Sequence, residues 1–273
     1  MFKEDTLMNL IAHLVGLNQF LLYLIIVVAC LLVVLVCSLA ASRLVDNETR
    51  QGHNEIAGYI LTTVGAIYGV FLAFLTVIVW QNYDDAASNA AREASVALAL
   101  YRNVDLYPDQ EQARKVTDSL SAYVRSVITD IFPAMARMTR SPVTEQAMGQ
   151  LWAEIRTISP RNLQEQMIFQ EILQSNNKLA TLRVERLMQA NTPKLSSFMR
   201  HTLIMGAIIT LISALVFGAE NFWWHFTLTS LLAILLATIF LVLFELGHPY
   251  ASRIGITPAD YVEVLHIIES LKK

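Results

Sequence analysis

Four apolar runs, each long enough to cross a bilayer, leave this chain little choice of fold. They are Phe20–Ala41, Ala57–Trp80, Thr202–Ala219 and Phe222–Phe244. A hydrocarbon core of about 30 Å takes roughly 20 apolar residues in helix. Lipid offers the backbone no hydrogen-bond partner, so each span must satisfy its own N–H and C=O groups as a helix. The first two runs carry no charged residue. Composition agrees: 55% of the 273 residues are hydrophobic and only 16% are charged, against about 25% charged in ordinary soluble domains.

The first run superficially resembles a signal peptide, because Ser38-Leu39-Ala40 has the small-x-small form of a cleavage site. It is too long for one, and an amphipathic segment of mixed charge precedes it, so an uncleaved span is expected. Cys37 lacks the small residues that precede a lipid-modified cysteine. Cys30 and Cys37, seven apart on one helix face, are not placed to bridge each other.

Four spans put both termini and residues 81–199 on one side. Arg92, Arg102, Arg183, Arg186, Lys194, Arg200 and Arg253 flank the membrane there, against Arg43 and Arg50 on the other side. The excess of positive charge marks the cytoplasmic face. The expected localisation is therefore a bacterial inner membrane, multi-pass, with both termini cytoplasmic. The expected division is 1–19 as an interfacial amphipathic helix, 20–80 as spans one and two, and 81–199 as a helical cytoplasmic domain. Residues 200–246 follow as spans three and four, and 247–273 as a C-terminal cytoplasmic helix.

Residues 81–199 read as helix almost throughout, and no strand alternation appears, so the fold class is all-α. No proline or glycine interrupts the chain from Trp80 to Tyr107, so span two is expected to continue out of the membrane as one helix. Val116, Leu120, Val124, Val127 and Ile131 follow helical spacing, and Pro133 is expected to bend or end that helix. Ser141-Pro142 and Ser159-Pro160 read as the starts of two more helices, and Thr192-Pro193 as the restart that becomes span three. Near the C-terminus, Thr257 and Pro258 read as the cap and first turn of a helix burying Val262, Leu265, Ile268 and either Ile267 or Leu271. Arg183 and Arg186 can meet anionic lipid or pair with Glu185 and nearby acids, the second being favoured.

Catalysis needs converging polar groups, and the sequence offers none. The six histidines are scattered, and His53 with Glu55 is a lone pair in a short loop, so neither metal nor cofactor is expected. The central thirds of the spans hold essentially no ionisable group, and no Asp, Glu, Lys, Arg or His, which argues against a proton-coupled transporter. With a net charge of −3, bulk electrostatics gives no reason to expect a nucleic-acid partner. The expectation is not an enzyme.

The second span is the informative one. In "VGAIYGVFLAF", residues 64–74, a helical wheel separates two faces. Thr62, Gly65, Ala66, Gly69, Ala73 and Thr76 form a small face. Gly65, Gly69 and Ala73 on it would let another helix approach closely. Thr63, Ile67, Val70, Phe71, Phe74 and Ile78 form a bulky face, open to two readings. It can lie against lipid, or it can line an oligomeric pore in which apolar rings gate by dewetting.

The pattern Gly65, Gly69, Phe71, Leu72, Ala73, Phe74, with Tyr83-Asp84 after it, resembles the pore helix of bestrophin channels. A narrower resemblance is to a bacterial bestrophin-like membrane domain, carried by "WQNYDDA", "AREA" at Ala91–Ala94, "RVERLMQANTP" at Arg183–Pro193 and "HPYASRIGITP". The resemblance implies a homopentamer around span two that passes inorganic ions. Ile67 and Phe71 would form the neck, with Thr63 at its outer end and Phe74 further in. It also implies a difference: the region after span four lacks the acidic run of calcium-gated bestrophins, offering only Asp260, Glu263 and Glu269, so no calcium clasp is expected. The alternative is a non-conducting scaffold or sensor whose helical domain recruits a partner.

Overall fold

The computed structural model describes residues 19–44, 47–139, 141, 143–191, 195–252 and 254–272. The amphipathic stretch Asp5–Leu17 and the Thr192-Pro193 restart lie outside them. The described residues form ten α-helices and no strand. These are α1 (Gln19–Leu44), α2 (Asn47–Gly52), α3 (Asn54–Asp105), α4 (Gln110–Ser126), α5 (Phe132–Ala136), α6 (Val143–Thr157), α7 (Leu163–Asn191), α8 (Ser197–Leu215), α9 (Phe222–Gly247) and α10 (Ala259–Leu271). Four of them, α1, α3, α8 and α9, are long and apolar enough to cross a membrane. The chain divides into two compact units. One holds residues 1–81 and 193–247, the other 82–192 and 248–273.

Helix α3 belongs to both units. With 52 residues it is about 78 Å long, more than twice the ~30 Å of a hydrocarbon core. Its uninterrupted run follows from the absence of Gly or Pro between Trp80 and Tyr107. Pro108 ends it, and Asp109 caps the next helix by accepting the Gln112 N–H at 3.2 Å.

In the first unit, α1, α8 and α9 pack on one another. Helix α8 starts and stops earlier than hydropathy alone indicates. Ser196 caps it through the Met199 N–H, so Ser197 and not Thr202 opens the helix. At the far end Gly218 lies so close to Arg50 and Gln51 that a Cβ would meet their backbone at 2.5–2.8 Å. Asn54 clasps Gly218 from both sides, donating to its carbonyl at 2.7 Å and accepting its N–H at 2.9 Å. Asn221 then caps α9 by accepting the Trp223 N–H.

In the second unit, α4 packs on α6, and α10 packs on α4. Pro133 does not end the helical run that follows α4, which continues to Ala136. It has no N–H to offer, and its ring crowds the carbonyl four residues back. The backbone answers with a π-helical turn over Val127–Ile131, where the Phe132 N–H bonds to Val127 O, and helix resumes as α5. Helix α7 starts at Leu163, three residues after Pro160, because Asn162 and Glu165 form a reciprocal cap at 2.9 Å each way. Helix α10 starts at Ala259 with Pro258 in the cap position and no side-chain cap from Thr257. Its buried face is Tyr261, Val264 and Ile268, with Leu265 partly buried, while Val262 and Leu271 are exposed. The aromatic Tyr261 takes the inward position that a purely aliphatic reading assigns to its neighbour.

The centre of this unit is charged. Arg186 on α7 and Glu93 on α3 are both 0% exposed and form a two-pronged pair at 2.7 and 3.0 Å. The Tyr123 hydroxyl donates to the same carboxylate at 2.7 Å. The guanidinium lies 5.8 and 5.9 Å from the ring centroids of Phe132 and Tyr261. Phe132 in turn meets Tyr250 and Tyr261 edge-on. Arg183 pairs with Glu145 at 2.5 Å. Both arginines therefore pair across helices and not with Glu185. Being buried, they also leave the set of surface charges that sets orientation.

Burial pulls the Arg186 pKa down, but the charge and hydrogen bond of Glu93, together with the Tyr261 and Tyr123 phenols, more than offset it and hold the guanidinium well above its ordinary range. Burial, then the Glu93 charge, pushes the Tyr123 and Tyr261 phenols well above theirs. In Glu93→Ala the guanidinium stays buried with no counter-charge. The expected loss is about 3–5 kcal/mol, whereas Glu93→Met with Arg186→Met is expected to be far milder because no lone charge remains. Thermal unfolding in detergent compares the two. The folded phenols hold protons that the unfolded chain releases near pH ~10. Stability is therefore expected to be intact below that pH and to fall as pH rises above it, read by alkaline unfolding.

Candidate functional site

The first half of α3 buries one face within its own unit. Tyr68, Leu72, Leu75 and Val79 are buried at spacings of four, three and four, with Leu61, Val64 and Phe71 partly covered. This third face, large and apolar, is what α3 presents to the rest of the chain. Two apolar faces of similar hydropathy sit side by side on this helix, so hydropathy does not rank them. The legible signal is Tyr68, since a tyrosine in the middle of a span needs a hydrogen-bond partner.

Around that face the expected site residues take distinct positions. Ile67 is 69% exposed and Phe74 66%, while Phe71 is half-buried. Phe71 stacks on Tyr68 with centroids 6.4 Å apart and planes at 28°. Thr63 is exposed, and its hydroxyl donates to Tyr59 O at 2.9 Å. Toward anything outside the helix Thr63 thus offers oxygen lone pairs, not a hydrogen. Thr62 and Thr76 bond to their own helix in the same way.

The small face is open within one chain. Gly69 and Ala73 are exposed and Gly65 is half-buried. Nothing described lies within 4 Å of where a Cβ would stand on Gly65 or Gly69. Among the described residues, nothing covers most of the small face or most of the bulky face.

Other polar groups do not converge. Among the described residues no group of three or more His, Cys, Asp or Glu is placed to hold a metal ion. The His53 ring nitrogen donates to Thr49 O at 2.8 Å, which ties it back to the short helix α2 that precedes it.

The family profile of the bestrophin-like domain matches residues 26–261. The chain belongs to the bestrophin-like family. No curated protein matches it in sequence. In structure it resembles a bacterial bestrophin homologue from Klebsiella pneumoniae. One crystal structure of that protein aligns with a TM-score of 0.68 at 13% identity, covering 90% of this chain and 98% of that one. A second aligns with a TM-score of 0.65 at 13% identity, over 89% and 97%. At such identity the likeness establishes a shared fold, and it extends over nearly the whole of both chains.

In this bestrophin-like chain the two apolar faces of α3 are expected to respond differently to truncation. Leu75→Ala opens a cavity inside the unit and is expected to cost about 2 kcal/mol or more. Ile67→Ala removes exposed surface and is expected to cost less than about 0.5 kcal/mol. Thermal midpoints of the two purified variants measure the contrast.

Proposed function

We propose that this protein is an oligomeric ion channel of the bacterial inner membrane, built as a homopentamer around α3. Family membership supports a channel, since bestrophins include anion channels. The carrying observation is that α3 leaves Ile67 and Phe74 exposed on either side of a half-buried Phe71. Copies meeting around an axis would stack these residues as rings, and apolar rings of this kind gate by dewetting. Ile67 and Phe71 form the neck, Thr63 stands at its outer end, and Phe74 is one turn further in.

The small face supplies the contact between copies. Gly65, Gly69 and Ala73 give a neighbouring helix room to approach, which is how membrane helices associate without a hydrophobic drive. The termini and the second unit lie in the cytoplasm, and the permeant species are inorganic ions.

Substituting Ile67 and Phe71 by alanine is expected to widen the neck and raise the current through the purified oligomer in planar bilayers. The reading fails if wild type and the double variant both pass no ions, or if the protein in detergent is a monomer or dimer. An intact, silent oligomer would instead favour a scaffold.

A further inference from the structure

Tyr68 ties the bulky face of α3 to the helix packed behind it. Its side chain is 7% exposed, while its chain neighbours Ile67 and Gly69 are exposed. Its hydroxyl donates to the backbone carbonyl of Leu203 on α8 at 2.7 Å. That carbonyl lies inside a helix, so the phenol takes its remaining lone pair. Three residues on, Gly206 has no side chain because the Tyr68 ring occupies its place. A Cβ on Gly206 would overlap the ring edge. Gly206 has no positive φ to explain it, and glycine inside a helix is otherwise a liability. Close approach of the ring is the reason for it. The ring is thus held at its tip by Leu203 and along its edge by Gly206. On its other side it stacks on Phe71.

We propose that Tyr68 is a positioning residue for the neck, setting where the Phe71 ring stands and making the seat of α8 on α3 a determinant of neck width. The proposal rests on the channel reading. Phe71 cannot swing toward Tyr68, because that space is filled, and Tyr68 cannot follow a swing away without giving up its bond to Leu203. A shift of α8 along α3 moves the Tyr68 anchor, and Phe71 moves with it. Leu203 and Gly206 touch no ion, yet both are expected to affect conduction.

The test uses the full-length oligomer with Cys30 and Cys37 replaced by serine. Tyr68→Phe keeps the ring and loses the tether. Gly206→Ala drives a methyl into the ring, and Gly206→Ala with Tyr68→Leu gives that methyl room. One readout is unitary current. The other, independent of conduction, is the rate at which I67C reacts with a small hydrophilic thiol reagent. Losing one hydrogen bond, a net of about 1 kcal/mol, is expected to change that rate about fivefold in Tyr68→Phe at unchanged oligomer size. Gly206→Ala is expected to change it at least as much. The double variant is expected to recover the thermal midpoint without recovering the rate. The proposal is overturned if Tyr68→Phe and Gly206→Ala leave the rate and the current at wild-type values, or if they shift the thermal midpoint alone. If the rate shifts while Ile67 and Phe71 substitutions show that no ions pass, Tyr68 still positions the helix face and the channel reading falls.

Discussion

One ion pair in the second unit stands wholly out of water. Removing Glu93 and Arg186 from solvent carries a desolvation cost that the pair's own attraction offsets only with near-ideal geometry and further hydrogen bonds. Both conditions are met. The guanidinium fork meets the carboxylate with two bonds, Tyr123 supplies a third to the carboxylate, and the Phe132 and Tyr261 rings lie near the cation. Each partner comes from a different stretch of the unit, so the charge is satisfied only when α3, α4, α5, α7 and α10 are all in place. Hydrophobic burial is indifferent to small changes of register. A two-pronged bond is not, and this pair therefore fixes how the helices of the unit register on one another.

The same requirement explains the composition of α3 beyond residue 81. Its buried positions include Ala86, Ala90, Ala94 and Ala97, which bring neighbouring backbone close. Asn89 reaches Leu182 O at 3.0 Å, and the Tyr250 hydroxyl reaches Ala86 O at 3.2 Å. Larger side chains would hold those partners off and leave Glu93 short of its cation. In the first unit the buried face of the same helix is large instead, with Tyr68, Leu72, Leu75 and Val79. Lipid and neighbouring helices are equally apolar, so the gain there comes from shape, as with the Tyr68 ring in the gap at Gly206.

What could be read from the sequence follows from which physical terms act locally. The four spans, the all-α class and the continuity of α3 rest on hydropathy, chain length and the absence of breakers, all of which are short-range. Helix ends were legible only where the cap was not in competition. Asn162 takes the role suggested for Ser159-Pro160 because it completes a reciprocal cap with Glu165. The π turn before Pro133 depends on how the backbone absorbs a missing donor, which propensity does not encode. Arg183 and Arg186 were visible as charges, but their partners, Glu145 and Glu93, lie 38 and 93 positions away, and no spacing rule reaches that far. At the candidate neck, periodicity isolates the face of Ile67 and Phe74, yet it also offers the small face as the obvious packing surface. In the chain itself a third face packs, and the clue was a tyrosine in mid-span.

That third face changes how the opening in the small face is to be understood. If Gly65, Gly69 and Ala73 received α8 or α9, their size would be accounted for within one chain. Among the described residues they do not: the packing runs along the separate row of Tyr68, Leu72, Leu75 and Val79, and nothing described stands within 4 Å of a Cβ at Gly65 or Gly69. Glycine weakens a helix where nothing needs the space, and lipid does not need it. Two such glycines four residues apart are the feature that the proposed contact between copies would account for. The first half of α3 thus carries three faces: Tyr68 and its row bind the helix to its own unit, the glycines lie open among the described residues, and Ile67 and Phe74 are exposed, which leaves the last two faces for the roles proposed above.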